Sequence, residues 1–234
     1  MIKGDSSDYQ LLIEAVTSSF KLIPGDYYLS CEIGVREGLG SQLMMDAAAK
    51  KNGLSPHHIG IDPYGNLKYA HYDDNKPYVA DYTNQMKTQV KRDLGDYTNF
   101  HLIDTTDKEY MQRFWDGFPI YNDTPMLLDK YSCVHFDGPH KTTDVLRQAL
   151  FFCDRSHVGT TFCFDDYKKY NMELIECACD CPKCASALAK AQKIFLLLQS
   201  AISSVGLTYT SSGGFNSGYY QDILSKYLKA KELC

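Results

Sequence analysis

A predicted strand that runs directly into an acidic residue and a glycine-rich loop most constrains the fold of this chain. Residues 26–41 read DYYLSCEIGVREGLGS, with Glu32 at the strand end, glycines at 34, 38 and 40, and a predicted helix directly after them. A strand, a glycine loop and a helix in this order typically begin a parallel α/β sheet that holds a nucleoside-bearing ligand at the carboxyl end of its first strand. The fold class is therefore predicted as α/β.

The spacing of these glycines argues against a dinucleotide ligand. A dinucleotide-binding loop has glycines at relative positions one, three and six, with backbone amides facing a pyrophosphate. Here they stand at positions one, five and seven, and the Glu32 carboxylate comes two residues before the first of them. A carboxylate repels phosphate and attracts a cation, so the loop is predicted to bind a positively charged or phosphate-free ligand. A dehydrogenase is the less favoured alternative.

Composition and charge narrow the class of protein. The chain has 234 residues, 44% of them hydrophobic, which is enough for one α/β domain over 1–234. Its net charge is −5 and no lysine- or arginine-rich block occurs, which disfavours a dedicated nucleic-acid-binding protein. The most apolar run, 194–198, is too short to span a membrane, and residues 1–8 lack the apolar core of a signal peptide. The nine cysteines are an odd number and three of them stand in predicted core strands, which favours reduced thiols and a cytoplasmic protein.

Predicted helices and strands alternate along most of the chain, which is typical of a mainly parallel sheet. The strands are predicted at 27–33, 58–61, 100–103, 132–136 and 160–164, with a final hairpin at 207–212 and 219–224. The helices are predicted at 8–23, from Ser41 to Gly53, and at 82–94, 107–115, 142–154 and 185–204. The segments 64–82 and 167–184 are predicted as inserts or lids that form the substrate pocket.

Acidic residues end four of the predicted strands. Glu32, Asp62, Asp137 and the pair Asp165 and Asp166 stand at these ends, which line one crevice in an open parallel sheet. Each one alone is also a plausible cap for the following helix. Two carboxylates about 4 Å apart repel by about 4 kcal/mol at an effective dielectric of 20, so a cluster needs a cation or a shared proton. Asp62 stands where ribose hydroxyls bind, and Glu32 is expected to face an ammonium group or a bound water. A nucleoside with an amino-acid tail and a sulfonium group satisfies both demands.

Four motifs together resemble a known enzyme family. Residues 32–41 (EIGVREGLGS) and 61–63 (IDP) are followed by 136–140 (FDGPH) and 162–167 (FCFDDY). These segments are similar to the motifs of class I S-adenosylmethionine-dependent methyltransferases, and the last two indicate the methyltransferase-24 group, which includes the macrocin-type sugar O-methyltransferases. The resemblance covers residues 27–170 well. It implies a Rossmann-like, mostly parallel seven-stranded sheet that ends in an antiparallel hairpin, with helices on both faces.

The resemblance also implies roles for individual residues. Asp62 would hold the ribose of S-adenosylmethionine, and the loop after the third strand would lie near the adenine. His140 and Asp137 are the expected catalytic residues, with His140 as the general base. Asp137, Asp165 and Asp166 match positions that bind a divalent metal such as Mg²⁺ in metal-dependent members, where the metal holds an acceptor hydroxyl and lowers its pKa. The expected cofactor-binding residues are Glu32, Gly34, Val35, Arg36, Gly38, Gly40, Ser41, Asp62, Pro63, Thr105, Thr106 and Asp137.

Two positions depart from the family pattern. Pro139 stands where the family has a second acidic residue, and Thr142 stands where it has an aromatic ring. One carboxylate and one stacking ring are therefore missing near the cofactor and substrate, and the sequence leaves metal dependence open. His140 also has a second interpretation, in which it caps the next helix or contacts the cofactor.

Four cysteines stand close together at positions 177, 179, 181 and 184. Four thiolates suit zinc, but structural zinc sites usually bring two separated pairs together and no second Cys-x-x-Cys pair occurs in the chain. Reduced thiols at a helix start, or a disulfide formed on handling, are the alternatives. The cluster follows directly after the last acidic motif, where the family varies its substrate lid.

The sequence therefore predicts an O-methyltransferase for a small hydroxylated acceptor. A nucleic-acid methyltransferase is the first alternative, although Asp137-Gly138-Pro139-His140 is neither the Asn/Asp-Pro-Pro-aromatic motif of amino methylation nor a Pro-Cys nucleophile. A non-catalytic subunit that only binds S-adenosylmethionine is the second. No membrane partner is expected, and the sequence does not decide between a monomer and a homo-oligomer.

Overall fold

The computed structural model describes residues 2, 4, 9–19, 27–52, 56–71, 76–79, 81–121 and 124–165. Its helices are α1 (Tyr9–Ser18), α2 (Leu39–Asn52), α3 (Asn84–Asp93), α4 (Asp107–Arg113) and α5 (Thr142–Asp154). Its strands are β1 (Leu29–Ile33), β2 (His57–Ile61), β3 (Lys68–Ala70), β4 (Pro77–Val79), β5 (Phe100–Ile103), β6 (Phe118–Ile120), β7 (Met126–Leu128), β8 (Tyr131–Phe136) and β9 (Ser156–Phe164).

A five-stranded sheet in the order β5-β2-β1-β8-β9 forms the centre of the fold, and every neighbouring pair in it is parallel. Every residue of β1, β2 and β8 is buried. A strand that is covered on both faces has apolar residues along most of its length rather than at alternating positions. Such runs are recognisable in the sequence, which explains why these strands could be predicted. The predicted mostly parallel α/β sheet is thereby confirmed.

Helices cover both faces of this sheet. On one face α1 and α2 pack on each other and on β1, β2 and β8, with Leu12, Val16 and Met44 in a shared apolar cluster. On the other face α4 and α5 close the largest apolar cluster, in which Tyr110 and Phe152 meet the strands. Burying both faces leaves the strand ends as the exposed edge at which a ligand can bind.

Two short hairpins differ from the sequence-based expectation. The segment 64–82, predicted as a loop or lid, contains the antiparallel pair β3–β4, and a second pair, β6–β7, lies between α4 and β8. Each strand has three residues, which is too short for an alternating pattern to be detected. Pro77 and Pro119 lie within them, and proline argues against a strand in sequence-based assignment.

Helix ends also differ from the predicted ends. Helix α4 was expected to reach Trp115 but ends at Arg113, and Trp115 follows it with 60% of its surface exposed. The chain turns there because Phe114 donates its N–H to the Tyr110 carbonyl and Gly117, at φ 122°, donates to the Phe114 carbonyl. A position with that φ favours glycine, so Gly117 completes the turn that follows the helix.

Several predicted features lie outside the described residues: the second lid segment, the helix at 185–204, the C-terminal hairpin that would bring the sheet to seven strands, Asp166 and the four-cysteine cluster. Within the part of the chain that the structure describes, no helix is both long and apolar enough to cross a membrane. Cys31, Cys133 and Cys163 are free thiols, as expected for those three residues.

Candidate functional site

The candidate site lies at the carboxyl end of the sheet, where the direction of strand order reverses. From β1 the chain proceeds to β2 and β5 on one side, and later to β8 and β9 on the other. Ligands of open α/β sheets bind at such a switch point. Backbone hydrogen bonds align these strand ends: Gly34 N–H donates to Ile61 O (2.9 Å), and Asp137 N–H donates to Ile33 O (2.9 Å).

The glycine loop is shaped by a close approach to the loop after β8. Gly34 has φ 92°, and a Cβ built there would lie 2.0 Å from the Asp137 carbonyl oxygen, so no side chain fits. Gly38 also has a positive φ of 93°, and between them Arg36 has φ 47°. The Val35 side chain points away from the crevice and packs inside with Met45. The loop therefore presents backbone rather than side chains at this point.

Glu32 is buried next to the glycine loop and is hydrogen-bonded to one residue of α2 and one residue of β8. Ser41 Oγ donates to its Oε2 (2.6 Å), and His135 Nδ1 donates to its Oε1 (3.0 Å). A Cβ on Gly40 would lie 1.9 Å from Oε1, so glycine is required where α2 passes the carboxylate. Burial alone would lower the pKa of His135, but the hydrogen bond to Glu32 and the charges of Glu32 and Asp137 raise it to about 9. Glu32 and His135 thus form a buried ion pair at neutral pH.

The hydrogen bonds continue from Ser41 into the sheet. Because the Ser41 hydroxyl donates to Glu32, its oxygen accepts from His58 Nε2 (2.9 Å), and His58 Nδ1 accepts from Ser30 Oγ (2.8 Å). Burial lowers the pKa of His58 to about 3, so its ring is neutral. An ionised carboxylate has about four acceptor sites, so besides these two donors Glu32 has the capacity for a ligand ammonium, the partner that the sequence suggests. The roles of His58 and His135 were missed, and the available signal was a polar residue inside an otherwise apolar strand.

Asp62 combines a structural contact with an unsatisfied oxygen. Its Oδ2 accepts the Arg36 backbone N–H (2.8 Å), which ties the end of β2 to the glycine loop. Its Oδ1 is buried and has no hydrogen-bond partner among the described residues. Burial raises the pKa of Asp62 to about 7, against the lowering effects of the backbone N–H groups of Arg36 and Val35. A buried acceptor without a partner is costly, and a ligand hydroxyl would satisfy it. Pro63 follows, half-buried, at the same edge.

Thr105 and Thr106, which follow β5, have different environments. Thr106 is the N-cap of α4: its Oγ1 accepts the Glu109 N–H, and the Glu109 carboxylate accepts the Thr106 N–H. Thr105 Oγ1 is buried and, within the described ranges, has no hydrogen-bond partner. Thr105 is therefore the residue of the two whose hydroxyl is free for a ligand.

Asp137 and Asp165 bring two carboxyl groups together at the ends of β8 and β9. Their side chains are hydrogen-bonded, and burial raises the pKa of Asp137 to about 8, with Asp165 adding to the rise and His135 opposing it. The raised pKa lets the Asp137 carboxyl group keep its proton in this hydrogen bond near neutral pH. Among the described residues, at this edge as well as elsewhere, no group of three or more acidic, histidine or cysteine side chains converges as a metal site would require.

The β3–β4 hairpin and its flanking residues cover this edge. Tyr64 OH donates to the Arg36 carbonyl (2.7 Å), and the Gly65 and Asn66 N–H groups donate to the Tyr82 carbonyl (2.7 and 3.1 Å). Burial, followed by the charges of Asp62 and Asp137, raises the pKa of Tyr82 to about 12.

His140 lies at this same edge. Its ring contacts the His71 ring at the end of β3, with 4.6 Å between centroids. The sequence analysis did not identify the contact of His71 with His140, because the segment 64–82 shows weak periodicity. The visible signal was the high tyrosine content of this segment.

Comparisons with known proteins show what this arrangement is similar to. The model of the methyltransferase-24 family, described as a methyltransferase domain, matches residues 31–167, more than half of the chain. No curated protein matches.

Three solved structures are similar in fold. The S-adenosylhomocysteine-bound methyltransferase PaMTH1 of Podospora anserina is 9% identical, with a TM-score of 0.51 over 83% of this chain and 70% of that one. Cofactor-bound Rv0187 from MTB is 9% identical, with a TM-score of 0.52 over 85% and 70%. A Staphylococcus aureus protein provisionally described as a caffeoyl-CoA O-methyltransferase is 11% identical, with a TM-score of 0.52 over 85% and 77%. At these identities the likeness shows the fold.

Proposed function

Because the chain belongs to the methyltransferase-24 family, we propose that it transfers the methyl group of S-adenosylmethionine to an oxygen of a small hydroxylated acceptor. The observation that carries the proposal is the buried Asp62 Oδ1, which has no partner in the described structure and lies beside a glycine loop that presents backbone to the crevice. One catalytic domain over 1–234, completed by strands at 207–212 and 219–224, is part of this proposal.

Each part of the cofactor is assigned to residues of the candidate site. Asp62 would accept the ribose hydroxyls, Thr105 would face the adenine side, and the loop from Gly34 to Gly40 would follow the methionine part. S-adenosylmethionine supplies a methyl group on a positively charged sulfur. The Asp62 carboxyl group, whose pKa is raised to about 7, would ionise more readily beside such a cation, whereas a pyrophosphate would oppose its ionisation.

The acceptor chemistry needs a base beside the methyl group. When bound, S-adenosylmethionine would supply the methyl group and leave as its thioether, and the proton released as the acceptor oxygen bonds to the methyl carbon would pass to a ring nitrogen of His140. Histidine suits this step because its ordinary pKa lies near neutral pH. Asp137 would orient the acceptor at the same edge.

Two measurements test the proposal. Calorimetry should detect binding of S-adenosylmethionine and S-adenosylhomocysteine, whereas binding of NAD alone would contradict it. Transfer of a labelled methyl group should then be measured to protocatechuate, tyramine, methyl glucoside and a single-stranded RNA oligonucleotide. Transfer to the RNA alone would favour the nucleic-acid alternative, and transfer to none would favour a binding subunit.

Replacing His140 tests the base. H140Q should lower kcat by about 100-fold or more, because positioned general bases contribute on that scale, and should leave S-adenosylhomocysteine affinity unchanged. Y121S is the matched control, since Tyr121 is 87% exposed on the other hairpin. Equal kcat values for H140Q and Y121S would remove His140 from the reaction.

Metal assistance is a second part of the proposal. Asp137 and Asp165 already meet, and Asp166 follows directly in the sequence, so these oxygens would hold Mg²⁺, which lowers the pKa of a bound hydroxyl. We expect Mg²⁺ to bind by calorimetry, D165N to abolish that binding, and EDTA to reduce methyl transfer. Undiminished transfer in EDTA, with no heat of Mg²⁺ binding, would leave proton acceptance by His140 as the only activation.

A further inference from the structure

The His71 ring is held on three sides, one of which is the proposed base. It stacks on Tyr78 with 4.7 Å between ring centroids and 26° between planes, and its Nδ1 is hydrogen-bonded to Tyr69 OH at 2.9 Å. Its third neighbour is His140, at 4.6 Å between centroids and 57° between planes. Aromatic rings interact favourably at such distances in stacked and tilted arrangements.

The β3–β4 hairpin fixes these partners of His71 relative to each other. Tyr69 and Tyr78 face each other in the antiparallel register, so their side chains lie on the same face, and their rings meet at 5.5 Å. His71 follows β3 directly and inserts against both rings. The hydrogen bond to Tyr69 and the stack on Tyr78 together restrict rotation of the His71 ring about both of its side-chain bonds.

The backbone before His140 is fixed independently of the hairpin. Asp137 N–H donates to Ile33 O (2.9 Å), and a Cβ on Gly138 would lie 2.7 Å from Ile33 Cγ2, so this loop lies tightly against the end of β1. These contacts locate the backbone but leave the direction of the His140 ring to its own surroundings. These surroundings include a ring contact with His71.

We propose that His71 is a positioning residue, which holds the His140 ring in the orientation needed to accept the acceptor proton. This inference rests on the proposed role of His140 as the base. It makes Tyr69, His71 and Tyr78 of the β3–β4 hairpin part of the catalytic apparatus, because these rings must keep their contacts for the base to be aligned. A small misalignment of a catalytic group costs up to about 100-fold in rate.

The first test measures the His140 ring directly. In the full-length chain with ¹³C-labelled histidine and bound S-adenosylhomocysteine, the His140 ring signals are assigned by their loss in H140Q. H71A should shift and broaden them, since a neighbouring ring current and a constraint on rotation are both removed. H71F keeps a planar ring and should restore most of the shift. V79S, a substitution at an exposed position of the same hairpin, should leave the signals unchanged.

The second test measures rate and binding on whichever of the four acceptors named above the wild type methylates. H71A should lower kcat by about 10-fold, H71F by less, and neither should change S-adenosylhomocysteine affinity. Unchanged His140 signals in H71A, or an identical response in V79S, would overturn the inference. If H140Q itself keeps full activity, the proposed role of His140 as the base fails instead, and the ring signals still report whether His71 orients His140.

Discussion

Asp62 shows how burial sets the chemical state of a single side chain. One oxygen holds the glycine loop through Arg36, and the other has no partner in the described structure. Burial raises its pKa to about 7, above the ordinary value of 3.8, so between these two values the empty folded protein binds more protons at Asp62 than the unfolded chain does. This contribution to stability is therefore lost as the pH rises through that window. Two ligand hydroxyls favour the ionised form, which accepts from both.

Affinity for S-adenosylhomocysteine should consequently rise between pH 6 and pH 8. D62N should remove this pH dependence and weaken binding by about 10- to 100-fold, because a hydrogen bond to a charged group contributes about 1.5–3 kcal/mol. Calorimetry at three pH values measures both effects. Identical pH profiles for wild type and D62N would show that Asp62 does not titrate in the binding reaction.

The residues of this site were predictable from the sequence to different degrees. Glu32, Asp62 and Asp137 were identifiable because they end apolar strands, and the parallel sheet brings such ends together. The hydrogen-bond partners of Glu32 were not predictable, because the sequence pattern does not show that His135 and Ser41 contact it in the folded chain. The pairing of β1 with β8 places Glu32 opposite His135, and strand order is a long-range property that local patterns do not encode.

At the scale of elements, the five central strands were predicted because each is a short apolar run bounded by turn residues. The two hairpins were missed because three-residue strands carry almost no periodic signal. Helix α4 lies between these cases. Its start was predictable from Thr106 and Glu109, which form a capping box, whereas its end depends on the turn at Gly117.

The start of α4 gives a matched pair of variants. T106A should lower the free energy of unfolding by about 1 kcal/mol, because it removes an N-cap, and leave ligand affinity unchanged. T105V keeps the shape of a buried side chain whose hydroxyl has no partner in the described structure, so stability should not fall. It should weaken S-adenosylhomocysteine binding by about 3- to 10-fold if that hydroxyl bonds the ligand.

Denaturant unfolding and calorimetry on both variants separate these effects. A stability loss in T105V equal to that in T106A would contradict the assignment. Unchanged affinity in T105V would place Thr105 away from the ligand.

At the scale of the whole molecule, the sheet contains histidines that burial keeps neutral. The pKa of His58 is lowered to about 3 by burial, and that of His101 to about 4 by burial and by His57. Below the unfolded pKa of 6.5 the unfolded chain takes up protons that these folded rings do not. Stability from this source is therefore complete above about pH 6.5 and is lost as the pH falls toward the folded values.

The pH dependence of the unfolding free energy should show the contribution of His58 to stability. Between pH 7 and pH 5 its contribution falls by about 2 kcal/mol. The raised pKa values of Asp62 and Asp137 act in the opposite direction, so the comparison is between wild type and H58N at each pH. The difference in unfolding free energy should shrink toward pH 5, as measured by urea denaturation. A difference that does not change with pH would show that the pKa of His58 is not lowered on folding.

The β3–β4 hairpin pairs with no strand of the central sheet in the described structure, and its base is anchored by Tyr64 to the glycine loop and by Tyr82 to the residues after Asp62. Changes in the length or composition of 68–79 therefore alter no strand register and no backbone contact of the loop around Gly34. If the proposed function holds, exchange of residues of this segment other than Tyr69, His71 and Tyr78 is expected to change acceptor preference while cofactor binding is retained.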